Sequence, residues 1–306
     1  TKLSESIGDS KPVFMSTDRP PFGETLRRRV SLGDIAVFAV VPCVLVGMFL
    51  LPAATREALA FQYTQPAVLP AFASAYVHLT ESHLAVNLVG YLLIGSLTLV
   101  MSLLCGYRTR FYVALGTYLV VFPFLLAGFG LLFIRQGFGL GFSGVLMALY
   151  GYLPLSLSDF VTEKFHLDTQ RNVAPLLFFG GLGIIAVLGL WPSLDSMTVL
   201  LGTVGLVVVI ALILVWYGLT ILDADEEMRS ALYFAWRASG YFELFVVGLT
   251  VFLSFPLAMF PPDVVPQRAV VDTYTHLLAY ALGFIATYTA ALTSEALYDR
   301  EEQTWL

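Results

Sequence analysis

Ser143 stands in "GLGFSGVLMALYGY", residues 139–152, a stretch with no charged residue, and is flanked by Gly141 and Gly144. A serine hydroxyl is a weak nucleophile until a neighbouring base accepts its proton. If it then attacks a carbonyl, the oxyanion that forms needs donors already in place. The chain has four histidines that could act as the base: His78, His83, His166 and His276. His166 follows the charged pair Glu163-Lys164 and reads as a solvated loop residue. Asn87 comes four residues after His83, so a helix puts the two on one face, one turn apart. The residue types for acyl transfer are therefore all present. Each also has a plainer reading. Small residues around a serine let helices pack closely, an asparagine can join helices, and a histidine at a helix end can anchor at the interface. The motif is not the hydrolase elbow G-x-S-x-G, because position 145 is Val.

The elements that must position these residues are membrane spans. Of the 306 residues 58% are hydrophobic and 12% charged, against about 25% charged in soluble domains. Mean hydropathy is +0.81. Uncharged runs long enough to cross a bilayer predict eight helices, near 36–54, 83–105, 111–134, 141–157, 173–191, 197–222, 244–260 and 273–294. An even number of crossings puts both ends on one side. With the first residue inside, the inner segments carry 13 of the 16 basic residues; the outer loops hold only Arg56, Arg135 and Arg268. The positive-inside rule thus predicts both ends in the cytoplasm of a cell-membrane protein. In this layout His78 lies in a long outer loop, and His83 and His276 lie at outer helix ends. Ser143 lies near the outer end of its own span, three residues into the run that begins at Gly141. One serine, two histidines and an asparagine share a depth just beneath the outer surface, where polar groups are costly and need a reason.

The remaining composition narrows the field. A net charge of -6 supplies no basic face for nucleic acid. Cys43 and Cys105 lie in predicted spans, which argues against a disulfide framework or a zinc site; no metal or cofactor is expected. Residues 1–33 are polar, contain Pro12, Pro20 and Pro21, and end near Arg27-Arg28-Arg29, which reads as a disordered cytoplasmic tail. No cleavable signal peptide is expected there. Residues 34–297 form the membrane domain and 298–306 a short cytoplasmic tail.

Three stretches together resemble the rhomboid intramembrane serine proteases. "HLTESHLAVN", His78 to Asn87, is similar to the family's H-x4-H-x3-N helix. "GFSGVLMALYGY" is similar to its nucleophile helix, including Ala148, Leu149 and Gly151. "HLLAYALG", His276 to Gly283, is similar to its H-x-x-G-x-x-x-G, with Ala279 in place of the first glycine. The motifs occur in family order over roughly 34–157 and 241–294. The resemblance implies a dyad of Ser143, the nucleophile, and His276, the general base. It implies an oxyanion hole from His83, Asn87 and the Ser143 N–H. His78, Gly141, Gly144, Met147, Ala279 and Gly283 would support the site. No acid partner for His276 is implied, although Asp272 stands one turn earlier.

The sequence departs from the family at several points. Met147 replaces an aromatic that usually stacks on the catalytic histidine. Thr275 precedes His276 in place of a small residue, and the Trp-Arg pair of the first outer loop is missing. Three spans separate the two dyad helices where six-helix relatives have one. The fold implied is an all-α rhomboid-like bundle, a six-helix core with an inserted hairpin over 173–222, and 244–260 as the mobile gate; the reverse assignment of gate and insertion stays open. The activity implied is cleavage of transmembrane protein substrates near the outer face of the bilayer. Two other classes stay open: a non-catalytic relative that binds membrane helices, and a polytopic transporter.

Overall fold

The computed structural model describes residues 21–133, 137–165, 170–190, 197–222, 239–259 and 273–304. The tail residues 1–20 and 305–306, His166 and Asp272 lie outside the described residues. The chain is an all-α polytopic membrane bundle. Seven helices are long and apolar enough to cross a membrane: α2 (Leu32–Phe49), α5 (Glu81–Cys105), α8 (Ser143–Phe165), α9 (Gln170–Leu190), α10 (Met197–Leu222), α11 (Tyr241–Met259) and α12 (Thr273–Thr304). A further pair, α6 (Arg108–Val120) and α7 (Phe122–Phe133), passes the same test together but is bent by 45°. Among the described residues, the short helices α1 (Phe22–Arg29), α3 (Ala53–Ala58) and α4 (Val68–Ala73) complete the α-helices.

α8 is the axis. Its spanning residues are 94% buried, against 11% for α10, and α5, α6, α7, α9, α11 and α12 all pack on it. The partner that comes nearest is α12. A Cβ on Gly151 would lie 2.3 Å from the Tyr280 carbonyl oxygen, and one on Gly283 would lie 2.3 Å from that of Ala148. The two backbones touch there, a packing that small residues permit and larger ones forbid. α10 rests on α9 and presents Leu201, Leu212 and Trp216 outward, as expected of a helix facing lipid.

Three prolines in the spans create the same problem, and a tyrosine answers each. A proline has no N–H, so the carbonyl four residues earlier loses its helical partner. In hydrocarbon no water can replace that partner. Pro42 frees the Phe38 carbonyl, which accepts from the Tyr91 hydroxyl at 3.1 Å. Pro256 frees that of Phe252, which accepts from Tyr150 at 2.6 Å. Pro123 frees that of Leu119, which accepts from Tyr76. This last site is the break between α6 and α7, so the run at 111–134 is a bent pair where the sequence predicts one straight helix.

Two further features differ from the sequence expectation. The segment read as disordered contains α1. Its Phe22 and Leu26, with Val30 just beyond, pack against the core, and that burial offsets the cost of ordering eight residues. A two-stranded antiparallel pair also forms, β1 (Phe61–Gln62) with β2 (Phe138–Gly139). Both cysteines are free.

Candidate active site

Ser143 opens α8. The Phe142 carbonyl just before it accepts from the Leu146 N–H at 2.9 Å, so the N–H groups of Ser143, Gly144 and Val145 belong to the first turn and have no carbonyl within the helix. They sit at the positive end of the helix dipole. The chain reaches this point through Gly141 at φ +106°, a left-handed conformation. A Cβ there would lie 2.5 Å from the His83 ring, so glycine permits both the turn and the close approach of the imidazole. The approach is pinned from the long loop between α2 and α5. β1 pairs with β2 in the register Phe61↔Gly139 and Gln62↔Phe138, and the Gly141 N–H donates to the Ser74 carbonyl at 2.9 Å.

His276 lies in the first turn of α12, with Nε2 2.8 Å from the Ser143 hydroxyl oxygen. The histidine is buried and the serine half-buried. A neutral imidazole protonated on Nδ1 presents Nε2 as an acceptor, the orientation a base needs to take the serine proton. The contact spans 133 residues of sequence. It exists because α8 and α12 start at the same end of the bundle and touch roughly two turns further on, at Gly151 and Gly283.

The other polar residues form a second layer joined to the first through backbone. His78 is fully buried. Its Nε2 is 3.3 Å from the Phe142 N–H and 3.1 Å from the Asn87 amide nitrogen, so it accepts from both donors. Burial holds His78 down at about 4, with the neighbouring His83 acting in the same direction and hydrogen bonding to the Tyr76 backbone opposing them. It is therefore neutral at ordinary pH, as its two donors require. The Asn87 amide also donates to the His83 carbonyl at 2.9 Å. Both of its hydrogens are thus committed, and an oxyanion would have to draw one away. The His83 ring stands edge-on to that of His78, centroids 4.9 Å apart.

The structure brings Ser143 and His276 into direct contact and seats His83 over Gly141. Asn87 connects to the serine through His78 and the Phe142 N–H. Met147 and Ala279 are fully buried one turn after Ser143 and His276. Gly144 faces Leu126 of α7. Among the described residues, no three His, Cys, Asp or Glu side chains gather as metal ligands would.

Arg56 is a site residue that the sequence reading did not single out. It lies in α3 and points inward, with Nη1 donating to the His78 carbonyl at 2.7 Å and the guanidinium 4.5 Å above the Phe49 ring. It fixes the backbone that carries His78. The only sequence signal was an arginine in one of the predicted outer loops, which hold three basic residues in all.

Comparison with known protein families, with curated proteins and with solved structures finds no match.

Proposed function

We propose that this chain is a rhomboid-type intramembrane serine endopeptidase acting through a Ser143–His276 dyad. The observation that carries the reading is the 2.8 Å contact between the Ser143 hydroxyl and His276 Nε2, at the mouth of a helix whose first N–H groups have no partner within the helix. In the reaction the serine oxygen attacks the scissile carbonyl and its proton passes to His276. The oxyanion is met by the Ser143 N–H with the His83 ring beside it, and Asn87 joins by releasing one of its two amide hydrogens from its present partners. His276 then returns the proton to the departing amine, and water releases the acyl group by the same steps.

The neighbourhood suits this reading. α11 is the gate. It borders α5, with Phe255 3.3 Å from a Cβ placed on Gly90, and Met101 close to Gly248. α9 and α10 are the inserted hairpin. α9 enters the bundle between α11 and α12, where Gly181 meets both Tyr280 and Phe252. Two added crossings preserve the side on which His276 emerges, and the bent pair α6–α7 counts as one of eight crossings. The basic asymmetry puts both ends in the cytoplasm of a cell membrane, with the site toward the outer face. The substrate is a transmembrane helix that unwinds near that face.

The test uses purified protein in liposomes with single-pass transmembrane helices as substrates. Wild type cleaves at least one of them. Ser143→Ala and His276→Ala each abolish cleavage while remaining folded, because the two act as a unit. Proteolysis that persists in purified Ser143→Ala refutes the assignment.

A further inference from the structure

We propose that α1 is a docking surface for anionic lipid headgroups, clasping the ends of α5 and α11 that lie farthest from Ser143. This inference does not depend on the protease reading.

One side of α1 faces the protein. Phe22, Leu26 and Val30 recur every four residues and pack on the core. Phe22 meets Tyr241, the first residue of α11, edge-on at 5.1 Å. It lies so close to Gly240, itself at φ +85°, that a Cβ there would be 2.5 Å from the Phe22 Cβ. From Tyr241 the contact continues to Phe160 of α8 at 6.3 Å. The other end of α1 reaches α5. The Arg29 guanidinium approaches Gly106, the left-handed residue that caps α5, and Arg108 donates to the Arg29 carbonyl. A single eight-residue helix therefore touches the last residues of one span and the first of another.

Arg27 and Arg28 turn away from that apolar side, whereas Arg29, seven residues after Phe22, emerges along its edge beside the end of α5. Arg27, Arg28 and Arg29 are all exposed. Glu24 pairs with Arg28 at 2.5 Å, and among the described residues no carboxylate pairs with Arg27 or Arg29. The start of α2 sets their depth. Ser31 caps α2, and Leu32 and Ile35 are exposed apolar residues of a span, so the chain enters hydrocarbon within a turn of Arg29. The triplet thus lies at headgroup level. A guanidinium there matches phosphate oxygens in a two-point fork, and an anionic surface attracts each basic residue. A helix with an apolar stripe seated on the bundle and exposed arginines at headgroup level binds in the interface plane.

The test is hydrogen exchange on the full chain in nanodiscs, made of phosphatidylcholine alone or of phosphatidylcholine mixed equally with phosphatidylglycerol. Exchange over residues 22–29 and the first turn of α11 should slow roughly ten-fold or more in the anionic discs, and the effect should shrink as salt is raised. Changing all three arginines to glutamine removes the lipid dependence; changing all three to lysine keeps most of it. Phe22→Ala leaves the response in residues 27–29 but abolishes it at Tyr241. Equal exchange of wild type in the two lipids overturns the proposal. So does a retained response in the glutamine variant. Equal protection by inorganic phosphate in zwitterionic discs overturns it too, by making a free anion the occupant. A response at Tyr241 that survives Phe22→Ala overturns the clasp.

Discussion

His78 accepts from two donors at one nitrogen, the Phe142 N–H and the Asn87 amide, and only a neutral ring can do so. Burial lowers its pKa from the usual 6.5 to about 4. The unfolded chain then binds more protons than the folded one between those pH values. The stabilisation is full above pH 6.5 and is lost as pH falls through 4, about 3 kcal/mol in all. Thermal unfolding in detergent should show this decline. His78→Gln keeps an acceptor without titrating, so it should flatten the decline in that window; an unchanged pH profile would show that the ring is not held neutral. At this scale the sequence was informative where chemistry demands particular types: Ser143, His276, His83 and Asn87 were legible from identity and shared depth. Arg56 and Tyr76 were not, because both act by donating to backbone carbonyls, which leave no pattern in sequence.

Spans are legible because hydrocarbon tolerates few charges over about 20 residues, and the helices lie where hydropathy predicts them. Short elements escape that criterion. α1 shows only Phe22 and Leu26, with Val30 just beyond it, spaced by four, and α3 and α4 have six residues each, too few to register as spans. The bend at Pro123 was visible as a proline, but the tyrosine that makes it tolerable comes from a distant loop. The proline–tyrosine pairs give a sharp prediction at the level of elements. Tyr150→Phe orphans the Phe252 carbonyl and should cost about 1–3 kcal/mol. In a Pro256→Ala background residue 256 regains an N–H that can reach that carbonyl, so the same substitution should cost much less. A double-mutant cycle on thermal stability checks the coupling; equal costs in both backgrounds would separate the tyrosine from the proline.

Across the whole molecule, the meeting of Ser143 and His276 constrains the topology. Both helices start at the same end, so an odd number of crossings must separate them, and α9, α10 and α11 supply three. The 13-to-3 division of basic residues then predicts which end faces the cytoplasm. Single cysteines placed at 108 and near 165 and 230, with Cys43 and Cys105 replaced, should resist an impermeant thiol reagent in intact cells. Labelling near 165 from outside would contradict the eight-crossing layout.

The central claim is that His276 activates Ser143. A serine hydroxyl without a base does not react appreciably with a fluorophosphonate, whereas an activated one is modified covalently at its oxygen. The most direct measurement is therefore mass-spectrometric mapping of the adduct after treating the purified protein in detergent micelles. The account predicts a single adduct on Ser143 in wild type, and its loss in both Ser143→Ala and His276→Ala with the helical circular dichroism unchanged. An unlabelled Ser143 in folded wild type, or full labelling of that residue in His276→Ala, would contradict it.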